Sequence, residues 1–139
     1  MADRVEFELV SPQRLVKAQL VDMVVIPCSE GDIGVLPGHT PLIGTVRPGI
    51  VDIYEHGKVS ESIFVSGGFV EVTPDRCTLL AEEATFIHDL NQGEAQSRLE
   101  AGRQALEKAG SDIEKANAEA AIHTAEAMLA ALGVSSAVH

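Results

Sequence analysis

The chain has 139 residues, and its ten Lys and Arg stand against twenty-one Asp and Glu for a formal net charge of −11. Hydrophobic residues make up 45% and charged residues 22%, which is enough apolar material for a core and excludes a disordered tail. So acidic a chain is repelled by nucleic-acid phosphates; with no Trp, one Tyr and four Phe it lacks a base-stacking platform, and its longest uncharged runs, residues 33–46 and 127–139, are shorter than the roughly 18 residues of a membrane span.

The N-terminus carries Asp3, Arg4, Glu6 and Glu8 with no apolar stretch, so it is not expected to be a signal peptide. Val5, Phe7 and Leu9 alternate with Arg4, Glu6 and Glu8, the period of a half-buried strand. Ser11-Pro12 marks the first turn. Cys28 and Cys77 are too few for a disulfide framework and read as reduced, half-buried thiols of a cytosolic protein.

Residues 30–42, EGDIGVLPGHTPL, read as a loop. Pro27, Pro37, Pro41 and Pro48 lie in or beside it, and proline fixes its own φ and biases the preceding residue to extended backbone. The expectation is a stiff loop presenting Glu30, Asp32 and His39, either as an ordinary braced connection or as a rigid polar display suited to a basic surface.

Strand-like runs follow. Val51, Ile53 and Glu55 alternate with Asp52 and Tyr54, and Val59, Ile63 and Val65 share a face interrupted by Glu61. Val70 and Val72 flank Glu71, and Cys77, Leu79 and Ala81 continue the pattern. His56-Gly57, Gly67-Gly68 and Thr73-Pro74-Asp75 punctuate them as turns, the glycine pair as a hairpin turn or bulge. Many short strands with no helical pattern between them predict an antiparallel sandwich or barrel.

The composition changes near residue 88. Residues 1–88 hold all six prolines, eight of the twelve glycines and four alanines; residues 89–139 hold no proline and thirteen alanines. Strand propensity gives way to helix propensity, so two units are expected, residues 1–88 and 89–139. Asn91 with Glu94, and Ser111 with Glu114, form capping boxes for two helices. Ala95, Leu99, Gly102, Leu106 and Ala109 make the apolar stripe of the first. Ile113, Ala116, Ala120, Thr124, Ala127 or Met128, and Ala131 make that of the second, which stops at Gly133 and spans ~30 Å at about 1.5 Å per residue. The short connection implies an antiparallel hairpin, and its alanine stripes bury little area, so low independent stability is expected.

No chemical constellation emerges. There is no Walker A run, no G-x-G-x-x-G, no nucleophile elbow around Ser66 and no C-x-x-C. His39, His56, His88, His123 and His139 have no ligand spacing among them, so no metal is expected, and Glu82-Glu83 reads as a solvated strand end.

The run EGDIGVLPGHTPLIGTVRPG, residues 30–49, resembles the signature of the epsilon subunit of bacterial F-type ATP synthases, and FVSGGFVEV, residues 64–72, resembles the second landmark of that family. The layout is similar along the whole chain. The resemblance implies a ten-stranded β-sandwich followed by two antiparallel helices, with no cofactor. It implies a non-catalytic rotor part that links the gamma subunit to the ring of c subunits and couples proton translocation to ATP synthesis, peripheral at the cytoplasmic face of the bacterial inner membrane. By position, Glu30, Gly31, Asp32, Pro37, His39 and Thr40 would meet the c ring, while the gamma-facing residues stay unassigned.

The family's helices are regulatory and reach the alpha and beta subunits transiently when extended. Some members bind ATP through I/L-D-x-x-R-A at the start of the first helix. Here that stretch is Leu90-Asn91-Gln92-Gly93-Glu94-Ala95, with Asn91 in place of the acid and Glu94 in place of the arginine, so no tight ATP binding is expected. After Lys115 there is no Lys or Arg, while Glu119 and Glu126 remain, so weak inhibition of hydrolysis is expected. Two other readings compete: a free-standing nucleotide sensor of the same fold, against which the Asn91 and Glu94 substitutions count, and a small β-sandwich metalloenzyme, which lacks clustered ligands.

Overall fold

The computed structural model describes residues 3–133, and the chain divides into two units after Phe86. The first contains ten strands: β1 (Val5–Ser11), β2 (Arg14–Val21), β3 (Met23–Cys28), β4 (Gly31–Val35), β5 (Leu42–Val46), β6 (Gly49–Glu55), β7 (Lys58–Val65), β8 (Gly68–Val72), β9 (Arg76–Ala81) and β10 (Ala84–Phe86). A short 3-10 turn, Ile87–Asp89, opens the second unit, followed by α1 (Gln92–Lys108) and α2 (Asp112–Ala131). The expected sandwich followed by a two-helix hairpin is therefore the observed fold. Residues 134–139, the end of the second uncharged run and His139 with it, lie outside the described residues.

The strands join in the order β10-β7-β6-β3-β5-β8-β9-β1-β2, with β4 branching from β3. One pairing departs from the antiparallel expectation: β1 runs parallel to β9, Phe7 opposite Cys77 and Leu9 opposite Leu79. These strands come from opposite ends of the unit, so no tight hairpin fixes their sense, and a parallel pair needs only a long connection. The inward residues of the alternating strands meet in one core. Val5, Phe7, Leu9, Val24, Ile26, Val51, Ile53, Ile63, Val65, Val70, Val72 and Leu79 are all buried there. Cys28 and Cys77 join them, so the thiols are buried rather than half-buried. Val59 leaves its expected face and is 46% exposed near the β6–β7 turn, where the register shifts between Ile53 and Tyr54.

Gly67-Gly68 is neither a hairpin nor a bulge. β7 pairs with β6 and β10, whereas β8 pairs with β5 and β9, so the glycines carry the chain from one part of the sheet to the other. β9 and β10 make the same passage beside them: Ser66 N–H donates to the Glu83 carbonyl at 3.0 Å, and Glu82 N–H to the Gly67 carbonyl at 3.0 Å. Together β7–β8 and β9–β10 form one long antiparallel pair bent over a corner. At that corner a Cβ on Gly68 would lie 2.0 Å from the Leu80 carbonyl oxygen, and φ is +141°.

The β6–β7 hairpin turns through His56-Gly57, with φ of +54° and +76°, the left-handed pair that two-residue hairpins require. A non-glycine residue there is held from outside: the Asp22 carboxylate accepts the His56 N–H at 2.6 Å and Arg4 Nε at 3.3 Å, and Arg4 also pairs with Glu55. The His56 N–H, before the charge of Arg4, holds the Asp22 carboxyl below its ordinary range.

In the second unit both expected N-caps form. Asn91 Oδ1 accepts the Glu94 N–H at 2.9 Å, and Ser111 Oγ accepts the Glu114 N–H at 3.1 Å. Glu114 reaches back to the Gly110 N–H at 2.9 Å. The buried positions of α1, Ala95, Leu99 and Gly102, follow the expected stripe. Those of α2 follow it only at Met128: Ala118, Ala125 and Leu129 are buried beside it, while the expected Ala116 and Ala120 are exposed and Ile113 is 75% exposed. The stripe is rotated because Gly102 admits Ile122, whose Cγ1 would lie 2.9 Å from a Cβ added there, and this contact rather than Ile113 sets the rotation.

Candidate functional site

The acidic segment is not a continuous loop. Residues Gly31–Val35 form β4, paired with β3 from Cys28–Gly31 to Val24–Val35, because Ile33 and Val35 alternate with Asp32 and Gly34 and supply the inward face. The six residues singled out from the sequence fall into two groups. Glu30, Gly31 and Asp32 are exposed at the β3–β4 turn. Pro37, His39 and Thr40 lie beyond the other end of β4, whose five residues rise about 3.3–3.4 Å each, so some 15 Å of strand separates the groups.

Each group is fixed by its own contacts. Arg47 donates to Asp32 Oδ1 at 2.7 Å and to the Cys28 carbonyl at 2.5 Å, so the Asp32 charge is offset within the chain. Among the described residues no ion pair engages Glu30, which stands exposed at the turn. At the far end Leu36-Pro37-Gly38-His39 forms a type II turn: His39 N–H donates to the Leu36 carbonyl at 3.1 Å, and Gly38 takes φ +82° at the position that needs it. Gly38 N–H donates to the Pro74 carbonyl at 2.8 Å, tying this turn to the β8–β9 turn. His39 Nδ1 lies 2.7 Å from the Thr40 carbonyl.

Sequence reasoning missed a second surface. Thr45, Phe69, Leu80, Val10 and Leu15 are cross-strand partners in one row over β5, β8, β9, β1 and β2. Phe69 is 61% exposed, Leu80 54%, Leu15 56%, and Ile43, two residues from Thr45 on the same face, 75%. Phe69 separates two hollows, one of about 610 Å³ reaching Glu30 and Asp32, the other of about 310 Å³ reaching Val10, Pro12 and Leu80. The signal was present in the sequence. Val70, Val72, Cys77, Leu79 and Ala81 fill the inward positions of β8 and β9, so an apolar residue at an outward position there is surplus to the core. A contiguous exposed apolar row marks a contact surface.

The stretch compared with an ATP motif serves the helix. Asn91 is spent on the cap, Ala95 is fully buried, and Glu94 is exposed in the first turn of α1, where its charge suits the helix dipole. Among the described residues no group of three His, Cys, Asp or Glu could hold a metal ion.

Residues 4–87 match the family model described as the ATP synthase delta/epsilon chain beta-sandwich domain. An ATP synthase epsilon chain from Rhodospirillum rubrum is 51% identical over 131 residues, covering 94% of this chain and 98% of that one. The chain belongs to the ATP synthase epsilon chain family. A second relative, the epsilon chain of Paramagnetospirillum magneticum, is 51% identical over 132 residues, covering 95% and 99% of the two chains. In fold the chain resembles a chain of the Euglena gracilis mitochondrial ATP synthase with a TM-score of 0.80 at 24% identity, over 95% of this chain and 83% of that one. A chain in the central stalk and c-ring structure of the Tetrahymena thermophila mitochondrial ATP synthase gives 0.61 at 15% identity, over 91% and 95%. As an epsilon chain it is a non-catalytic subunit of ATP synthase.

Proposed function

We propose that this epsilon chain is a rotor part whose sandwich docks on the gamma subunit through the apolar row and on the c ring through the tip of the β3–β4 hairpin. Linking the two, it couples proton translocation to ATP synthesis while doing no chemistry itself. The observation that carries the reading is the row Ile43, Phe69, Leu80 and Leu15, four exposed large apolar side chains gathered on one face of a chain of net charge −11. A surface of that composition suits burial against a partner, and exposed aromatics between hollows are the usual anchors of such contacts. Glu30 and Asp32 supply the polar contact to the ring at the tip, and His39 belongs to the turn at the opposite end of β4. Association with the membrane is then peripheral: no helix among the described residues is long and apolar enough to cross it. The site would lie on the cytoplasmic face of the bacterial inner membrane. The helices reach the alpha and beta subunits only transiently and inhibit hydrolysis weakly, because α2 offers no Lys or Arg after Lys115. ATP is not bound at Asn91 and Glu94.

The test is assembly onto ATP synthase stripped of its epsilon chain. A double variant Phe69→Asp and Leu80→Asp should keep the fold, since both side chains point outward, and should lose binding to gamma. Wild-type binding by the folded double variant would refute the assignment of this face.

A further inference from the structure

Two strand edges face each other across a groove where the sheet branches. β3 pairs with β4 over five residue pairs but meets β5 only at Cys28 and Val46, while β5 is paired along its whole length with β8 on its other side. Ser29 N–H donates to the Thr45 carbonyl at 2.8 Å, so the backbone groups of Thr45 point toward β3. Backbone direction alternates along a strand, so the N–H and C=O of Ile43, two residues away, point to that same side, past the end of β3 and into the groove. The groove has a volume of about 610 Å³ and is lined by Ile33, Leu42, Ile43 and Phe69, with Glu30 and Asp32 at its rim.

An exposed strand edge is ordinarily protected by a charged side chain, a proline or a bulge. Leu42–Val46 has none of these, and Ile43 is 75% exposed. The charge around the groove is mainly acidic. Glu30, Asp32 and, opposite Ile43 on β8, Glu71 outnumber Arg47, which is engaged by Asp32 and the Cys28 carbonyl. A second copy of this chain would bring −11 to an acidic rim and is disfavoured.

We propose that the groove receives an extended segment of a neighbouring ATP synthase subunit, which adds as a strand to the Ile43 edge of β5 and brings a Lys or Arg side chain to Glu30. This rests on the rotor-subunit reading and specifies its contact: main-chain hydrogen bonds give the affinity, and the apolar floor and acidic rim give the specificity.

The test uses the full chain, free and bound to ATP synthase from which the resident epsilon chain has been removed, followed by hydrogen exchange resolved to the Ile43 amide. Strand addition should slow that amide about 5- to 10-fold in the complex, the factor that one hydrogen bond of about 1–1.4 kcal/mol corresponds to. Ile43→Pro removes the N–H that faces the groove and leaves the β8 ladder intact, and it should weaken the complex by a similar factor; Ile43→Val should not. Glu30→Gln should reduce the salt dependence of binding. A complex that forms with the Ile43 amide exchanging as in the free chain overturns strand addition and leaves the rotor reading standing. Failure of the wild-type chain to bind the stripped complex overturns both.

Discussion

Gly68→Ala tests the bent corner of the sandwich. The new Cβ would sit 2.0 Å from the Leu80 carbonyl oxygen, 3.0 Å from the Leu80 carbonyl carbon and 3.0 Å from the Ala81 Cα, all backbone atoms that no rotamer change can move. The backbone must also hold φ +141°, which costs an L-residue about 1–3 kcal/mol. Relief comes only by parting β8 from β9 at the pairs Gly68–Ala81 and Phe69–Leu80, with the loss of about 1 kcal/mol for each of roughly two ladder bonds. The expected destabilisation of the first unit is ~3–5 kcal/mol, or about 15 °C or more in Tm for a unit of this size. Tyr54, the single tyrosine, lies on β6 and reports the sandwich by fluorescence, while ellipticity at 222 nm follows the helices separately. Gly67→Ala is the control: φ is +133°, but the nearest atom is 3.4 Å away, so only the conformational cost of about 1–3 kcal/mol applies. A Gly68→Ala variant that melts within ~1 °C of wild type, or no lower than Gly67→Ala, would refute the account of the corner.

Burial pushes the Cys77 thiol up to about 12 from an ordinary 9.0. The unfolded chain therefore ionises first, and stability is full below pH 9 and falls as pH rises from 9 towards 12; at pH 11 the loss is about 2–3 kcal/mol at 1.36 kcal/mol per unit, and urea melts should show that part of the loss absent in Cys77→Ala. Asn91→Ala removes the cap of α1 and should cost the helices about 1 kcal/mol, seen at 222 nm and not in Tyr54 fluorescence. Cutting the chain after His88 should change ATP hydrolysis by assembled ATP synthase little, and a several-fold release would show that α1 and α2 inhibit strongly despite their charge.

The sequence made the outer strands and the caps legible because each is a local pattern. Val5, Phe7 and Leu9, the Val70–Val72 and Cys77–Ala81 runs, and the Asn91 and Ser111 boxes all declare themselves within about five residues. β4 was hidden because Gly31 and Gly34 leave only Ile33 and Val35 to mark a period, and the flanking prolines suggested a loop. The parallel pairing of β1 with β9 joins residues some seventy apart, so no local signal specifies it. The rotation of α2 was lost because alanine carries almost no hydrophobic contrast; the deciding contact, Ile122 against Gly102, lies between two helices. The apolar row was present in the letters but is visible as a surface only when Phe69, Leu80 and Leu15 are brought into register. The family resemblance drew attention to Glu30 and Asp32, yet not to Arg47, which already pairs with one of the two carboxylates.

That pairing changes what charge reversal can test. Asp32 and Arg47 form a half-exposed ion pair, and pairs of that kind contribute roughly 0–1 kcal/mol to stability. Asp32→Lys would set two cations side by side and free Arg47 from the carboxylate that orients it, so lost docking could reflect a displaced β4. Glu30→Lys disturbs no ion pair among the described residues. If Glu30 meets a basic side chain at about 4 Å in water-like surroundings, its charge contributes about 1 kcal/mol, and reversal costs about twice that, roughly 30-fold in affinity. The effect should shrink with salt over a Debye length of about 8–10 Å. The assay is titration of the variant chain into membranes carrying ATP synthase stripped of epsilon, with ATP-driven proton pumping as the readout. Glu30→Lys should restore coupling only at higher concentration, most markedly at low salt. Equal titration curves for Glu30→Lys and wild type at low salt would show that the exposed carboxylate meets no cation, and the polar contact would then have to lie at the other end of β4, with Pro37, His39 and Thr40.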